Sequence, residues 1–119
     1  MSKTICIVDD DELIRAYVGQ VLTPKGFEVL EAADAGSALK VIDEHAPFAA
    51  LIDVIMPDCD GLELIAQIRR RWPKLRIIAI SGGGRLGPTV FLDTARRVGA
   101  DACLSKPIST EALFDALAD

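Results

Sequence analysis

A chain of 119 residues, half of them apolar and about a quarter charged, suits one domain, whose fold at this length buries roughly two-thirds of the surface exposed when unfolded. The formal net charge of -5 argues against a nucleic-acid backbone as direct partner, and no apolar run approaches the roughly 20 residues of a membrane span. Three cysteines, Cys6, Cys59 and Cys103, make an odd set with two members inside apolar runs, which points to free thiols in a reducing, cytoplasmic compartment with no targeting segment to remove.

Ile5 to Val8 reads as a first strand and Glu12 to Leu22 as a helix, with Leu13, Ile14, Tyr17, Val18, Val21 and Leu22 on its apolar face. Thr23, Pro24, Lys25 and Gly26 end that helix. Phe27 to Ala32 is the second strand, and Asp34 caps a helix whose buried stripe is Ala38, Leu39, Val41 and Ile42, stopped by Pro47. Phe48 to Ile52 is the third strand, followed by a helix over Leu62 to Trp72; Gly61 before it fits a positive-φ turn, and Asp58 and Asp60 fit turn and cap positions. Arg69, Arg70, Arg71, Lys74 and Arg76 read as a solvated, basic helix end, and His45 as an exposed surface residue. Leu75 to Ile80 is the most apolar strand, suited to a central position covered on both faces. A glycine-rich loop, Ser81 to Gly87, leads to a helix over Pro88 to Val98, a short fifth strand over Ala102 to Leu104, and a last helix capped by Ser109.

Five strand–helix units without a linker imply one α/β domain over residues 1–119. It is expected to be a doubly wound, five-stranded parallel sheet of flavodoxin-like order 2-1-3-4-5, with helices on both faces. Ligands of such sheets bind outside the carboxyl ends of the strands, where strand order reverses. The polar residues fall there: Asp9 and Asp10 after the first strand, Asp53 after the third, Ser81 after the fourth and Lys106 after the fifth. Three converging carboxylates repel one another unless a cation joins them. Taken singly, each residue has a structural reading as a helix cap, loop acid, turn serine or surface lysine; jointly they describe a site.

At these residues the chain resembles the receiver domain of two-component response regulators, in particular the single-domain chemotaxis type. The resemblance rests on Ile7-Val8-Asp9-Asp10, on Asp53-Val54-Ile55-Met56-Pro57-Asp58-Cys59-Asp60-Gly61, on Ser81-Gly82 and on Lys106-Pro107. It implies that Asp53 accepts a phosphoryl group from a phosphohistidine on a histidine kinase or histidine phosphotransfer protein, with Mg2+ as cofactor. Asp10, Asp53 and the Ile55 backbone carbonyl would then ligate the ion, with Asp9 reaching it through water. Lys106 and Ser81 would neutralise phosphoryl oxygens, in keeping with a reaction that depends on positioning and charge stabilisation. Gly82 would leave room for the incoming group, and Lys106-Pro107 fits a cis peptide. The resemblance also implies an output protein reached by protein–protein contact, allows a weak or phosphorylation-dependent dimer, and casts the chain as catalyst of its own modification only.

Some features compete with this picture. Gly82, Gly84 and Gly87 satisfy G-x-G-x-x-G, but in the fourth strand–helix unit rather than the first, so a dinucleotide site is not expected. Cys103 stands three residues before Lys106, where receivers usually carry an aromatic ring, which places the family's usual output coupling in doubt; the segment Gly82 to Arg85 is an alternative carrier of the switch. An Mg2+-dependent aspartyl-phosphate phosphohydrolase would usually carry a second Asp at position 55, and a pseudo-receiver would lack part of the acid set; neither matches as well.

Overall fold

Each apolar run becomes a strand because, in a parallel sheet sandwiched between helices, both faces of a strand must be apolar. The structure is a computed structural model that describes residues 3–56, 59–82 and 88–118. Its elements are β1 (Thr4–Val8), α1 (Glu12–Leu22), β2 (Glu28–Ala32), α2 (Ala35–His45), β3 (Ala49–Asp53), β4 (Ile55–Met56), β5 (Cys59–Asp60), α3 (Gly61–Arg71), β6 (Arg76–Ser81), α4 (Pro88–Val98), β7 (Ala102–Ser105) and α5 (Thr110–Leu117). The main sheet is wholly parallel in the order β2-β1-β3-β6-β7, which is the expected 2-1-3-4-5 once the two-residue antiparallel pair β4–β5 is set aside. That pair was not foreseen, since two residues carry no periodicity.

Alternate residues of the central strands feed two cores. Cys6, Val8, Ala50, Ile52, Ile77 and Ala79 pack toward α2, α3 and α4, where Ile42, Ile65 and Ile68 are fully or almost fully buried. Ile5, Ile7, Leu51, Ile78 and Ile80 pack toward α1 and α5 against Val18, Leu22, Leu113 and Leu117. The helices begin where sequence chemistry starts them: Asp11, Asp34, Asp60 and Ser109 each accept backbone N–H groups of the following first turn. Gly26, with φ 93°, closes the short 3-10 turn after α1, as expected.

Several expectations change. Leu13 is 78% exposed and Tyr17 is exposed too, although both share the apolar periodicity of α1; the helix starts beyond the carboxyl end of β1, so its amino-terminal end overhangs the sheet. Gly61 is not a positive-φ residue but the first residue of α3. Glycine is required there because an added Cβ would overlap the Asp53 carbonyl oxygen and stand 2.5 Å from Val54 Cα. In the basic cluster, Arg70, Arg71 and Lys74 are exposed, but Arg69 and Arg76 are not solvated charges. Arg69 donates to the carbonyls of Gly99, Pro73 and Leu75, and Arg76 to those of Ala116 and Ala118. His45 is exposed, as expected. Asp58, Gly84, Arg85 and Gly87 lie outside the described residues, and with them most of the segment considered as a switch.

Candidate functional site

Register brings the acids together. Val8 pairs with Ile52, so the next residues along the two strands, Asp9 and Asp53, emerge side by side at the carboxyl edge, and Asp10 follows in the bend before α1. Carboxylate oxygens of Asp9, Asp10 and Asp53 all lie within 4.8 Å of one another. Asp9 is fully buried, Asp53 nearly so, and Asp10 is exposed. On the other side, Ser81 pairs with Ser105, and the Lys106 N–H donates to the Ser81 carbonyl at 2.9 Å, which fixes the start of the segment carrying the lysine. Ser81 itself is fully buried at the end of β6. The Lys106–Pro107 peptide is cis, as the sequence suggested.

Lys106 Nζ stands 3.2 Å from Asp53 Oδ2, as a hydrogen bond, and 2.9 Å from Asp9 Oδ2, as an ion pair without hydrogen-bond geometry. The stem of the lysine occupies space that Gly82 leaves open, since a Cβ there would stand 3.2 Å from Lys106 Cδ. Asp53 Oδ1 accepts the Ile55 N–H at 2.9 Å, which sets the carboxylate rotamer and leaves Oδ2 toward the lysine. Asp9 Oδ1 accepts the Asp11 N–H at 2.9 Å. Asp9 Oδ2, in contrast, is buried without a hydrogen-bond donor among the described residues.

Burial pushes the Asp53 carboxyl above its ordinary pKa; the Ile55 N–H opposes this, the Asp9 charge adds to it, and Lys106 opposes it again. Burial alone would lower the Lys106 ammonium, but the Asp9 and Asp53 carboxylates outweigh it and hold its pKa above the ordinary lysine value. Two carboxylates thus share one ammonium, with the third, Asp10, beside them. A buried carboxylate oxygen with no donor, within reach of two other acids, is what a hard cation needs: oxygen ligands, net negative charge and a free lone pair. The residues present therefore fit a divalent ion.

An apolar crevice lined by Ile42, Pro47, Phe48, Trp72 and Leu75 lies elsewhere, at the amino edge of the sheet, and shares no residue with the acid cluster. Sequence reasoning missed two side chains that support the site. Tyr17 Oη donates to the Ile108 carbonyl at 2.9 Å, two residues beyond Lys106, and Arg15 Nη1 donates to the Asp9 carbonyl at 2.8 Å. Their partners are backbone atoms, so no side-chain pattern announces them.

A doubly wound sheet with acids, a hydroxyl and a lysine at its carboxyl edge defines a class that comparison with known proteins makes specific. The family model of the response regulator receiver domain matches residues 5–118. This chain belongs to that family of two-component signalling proteins. It is 33% identical over 114 residues to the chemotaxis protein CheY of Listeria monocytogenes, covering 95% of this chain and 93% of CheY. It is 32% identical over 117 residues to the photosynthetic apparatus regulatory protein RegA of Rhodobacter capsulatus, covering 97% of this chain but only 61% of RegA.

Among solved structures, a CheY-like receiver domain protein of Methanospirillum hungatei superposes with TM-score 0.85 at 35% identity, covering 97% of this chain and 90% of that one. A Burkholderia pseudomallei response regulator, solved with a phosphorylated aspartic acid, a calcium ion and citrate, superposes with TM-score 0.87 at 26% identity, covering 98% and 67%. Receiver domains are phosphorylation-dependent signalling switches rather than enzymes in the ordinary sense, served by histidine kinases and coupled to output partners. No helix among the described residues is long and apolar enough to cross a membrane.

Proposed function

We propose that residues 1–119 form one receiver unit in which Asp53 is the phosphoryl acceptor and Asp9 and Asp10 complete a divalent-cation site. The observation that carries this reading is the meeting of Lys106 Nζ with Asp9 and Asp53 carboxylates at 2.9 and 3.2 Å, at the strand ends where the sheet order reverses. Bound Mg2+, held by Asp10, Asp53 and the Ile55 carbonyl with Asp9 through water, would supply charge neutralisation for phosphoryl oxygens.

The chain's own residues do the rest. An Asp53 carboxylate oxygen attacks phosphorus, the P–N bond of a donor phosphohistidine breaks, and the imidazole leaves with the bonding pair and takes up a proton. The product is an aspartyl phosphate. Lys106 then exchanges its contact with carboxylate for one with a phosphoryl oxygen, and the Ser81 hydroxyl serves another, so the developing charge meets groups already in place. The raised Asp53 pKa accords with a carboxylate held in an unfavourable, low-dielectric position until a cation arrives. Phosphorylation replaces the single carboxylate charge of Asp53 with about two on the phosphoryl group, and the response passes to an output protein by surface contact. A cytoplasmic location follows from this reading, because that is where the phosphohistidine donor acts.

Incubation with Mg2+ and a small phosphodonor, followed by intact mass measurement, should show an alkali-labile phosphoryl adduct absent from Asp53→Asn. Equal labelling of that variant would refute the assignment. Turnover of a phosphate ester without a stable adduct would instead favour a phosphohydrolase.

A further inference from the structure

We propose that Arg15 is a positioning residue of the cation site, fixing the Asp9–Asp10 peptide and, through it, the place from which the Asp10 carboxylate reaches the ion. The inference rests on the reading of Asp9, Asp10 and Asp53 as a divalent-cation site.

The polar atoms of Asp9 are almost all committed. Its N–H donates to the Ala32 carbonyl at 3.1 Å, its Oδ1 accepts the Asp11 N–H, and its carbonyl accepts Arg15 Nη1 at 2.8 Å, which leaves Oδ2 for the site. Asp10 is different. It is exposed, and its carboxylate makes no hydrogen bond among the described residues, so what the fold fixes of this residue is the place of its backbone. The peptide joining Asp9 to Asp10 is gripped at its carbonyl oxygen by Arg15. The guanidinium is in turn held by Glu31 Oε1 on β2, 3.0 Å from Nε, and the Arg15 side chain is only 16% exposed. Arg15 is therefore a two-ended brace from the edge strand to the acid pair. A lysine has no planar fork to hold both ends at once.

Charge and position make opposite predictions. A guanidinium on the Asp9 carbonyl repels a cation held by the neighbouring carboxylates, so if Arg15 acted through charge alone its removal would tighten Mg2+ binding. If it acts by holding the peptide, removal loosens an acid ligand and weakens binding. Partners that orient metal ligands are typically worth 10–100-fold in affinity, and the lower end suits an exposed ligand.

The test is isothermal titration of Mg2+ into the full chain, at a temperature where circular dichroism shows every variant folded. Arg15→Met should weaken binding about 10-fold. Glu31→Gln, which keeps an acceptor for Nε, should bind like the wild type, and Arg15→Lys should fall between wild type and Arg15→Met. An unchanged or tighter Kd in both Arg15 variants would overturn the proposal while leaving the cation site standing. Should Arg15→Met not fold, the Arg15→Lys result decides. If Asp10→Asn binds Mg2+ as well as the wild type, or the wild type binds none at millimolar concentration, the underlying site fails and the proposal with it.

Discussion

At the amino edge of the sheet Arg69 donates five hydrogen bonds, two to the Gly99 carbonyl, one each to those of Pro73 and Leu75, and one to Asp101 Oδ2. A guanidinium has five N–H groups, so none is left over. Asp101 Oδ2 also accepts the Ile77 N–H at 2.9 Å, which ties the loop before β7 to β6. At the carboxyl edge Asp9 and Asp53, two of three clustered carboxylates, share one ammonium, and the buried Asp9 Oδ2 has that ion pair but no hydrogen bond among the described residues. The same physical rule, that buried polar groups need partners, is met with hydrogen bonds throughout at one edge and only by a shared ion pair at the other. One edge holds the fold together; the other crowds like charge where the proposed reading puts a cation and a phosphoryl group.

The contrast can be broken from either side. Arg69→Ala should cost about 3 kcal/mol, because four backbone acceptor contacts and an ion pair lose one shared donor group. Urea unfolding measures it, and phosphodonor labelling of the folded variant should be unchanged. A loss below about 0.5 kcal/mol would mean the clamp is only decorative surface pairing. At the other edge Lys106→Met should slow labelling about 100-fold, the scale of removing one preorganised charge partner from a transition state. It should leave the fold at least as stable in Mg2+, since the ion then has no competing ammonium. Next in size, Gly61→Ala should destabilise by about 2 kcal/mol, because its Cβ meets the backbone of Asp53 and Val54, which cannot move aside as a side chain can. Its labelling defect should exceed that of Arg69→Ala despite the smaller loss of stability.

The two edges also differ in how far they could be read from sequence. Asp9, Asp10, Asp53, Ser81 and Lys106 were legible because short apolar runs mark strands buried on both faces, and the residue after each run must emerge at one common edge. The Arg69 clamp was not, because its acceptors are mostly carbonyls, which every residue carries. The same reason hid Arg15 and Tyr17. Gly61 was recognisable as a needed glycine but for the wrong cause: a turn would act within its own backbone, whereas the close approach depends on where β3 ends in space. Leu13 failed differently, since helical periodicity says which residues share a face but not how far the face extends beyond what covers it.

The smallest predicted effect tests the contrast most directly, because it asks whether the carboxyl edge costs stability. Asp53 has its pKa raised above the ordinary 3.8, chiefly by burial. An acid so perturbed favours the folded state fully below that ordinary value, and this contribution is lost as pH rises through the higher folded value. At pH 7 the ionised Asp53 is therefore a cost. Asp53→Asn removes the charge while Lys106 keeps Asp9 at 2.9 Å, so without divalent ions the variant should be more stable than the wild type. The difference should shrink as pH falls and the wild-type carboxyl protonates. Mg2+ should reverse the order at pH 7, since only the wild type retains the full ligand set and gains stability by binding. Chelator-treated protein in which Asp53→Asn unfolds at lower urea than the wild type at pH 7 would show that Lys106 already balances the charge. The carboxyl edge would then be satisfied in the same sense as the amino edge, and the poised state proposed for it would have no energetic basis.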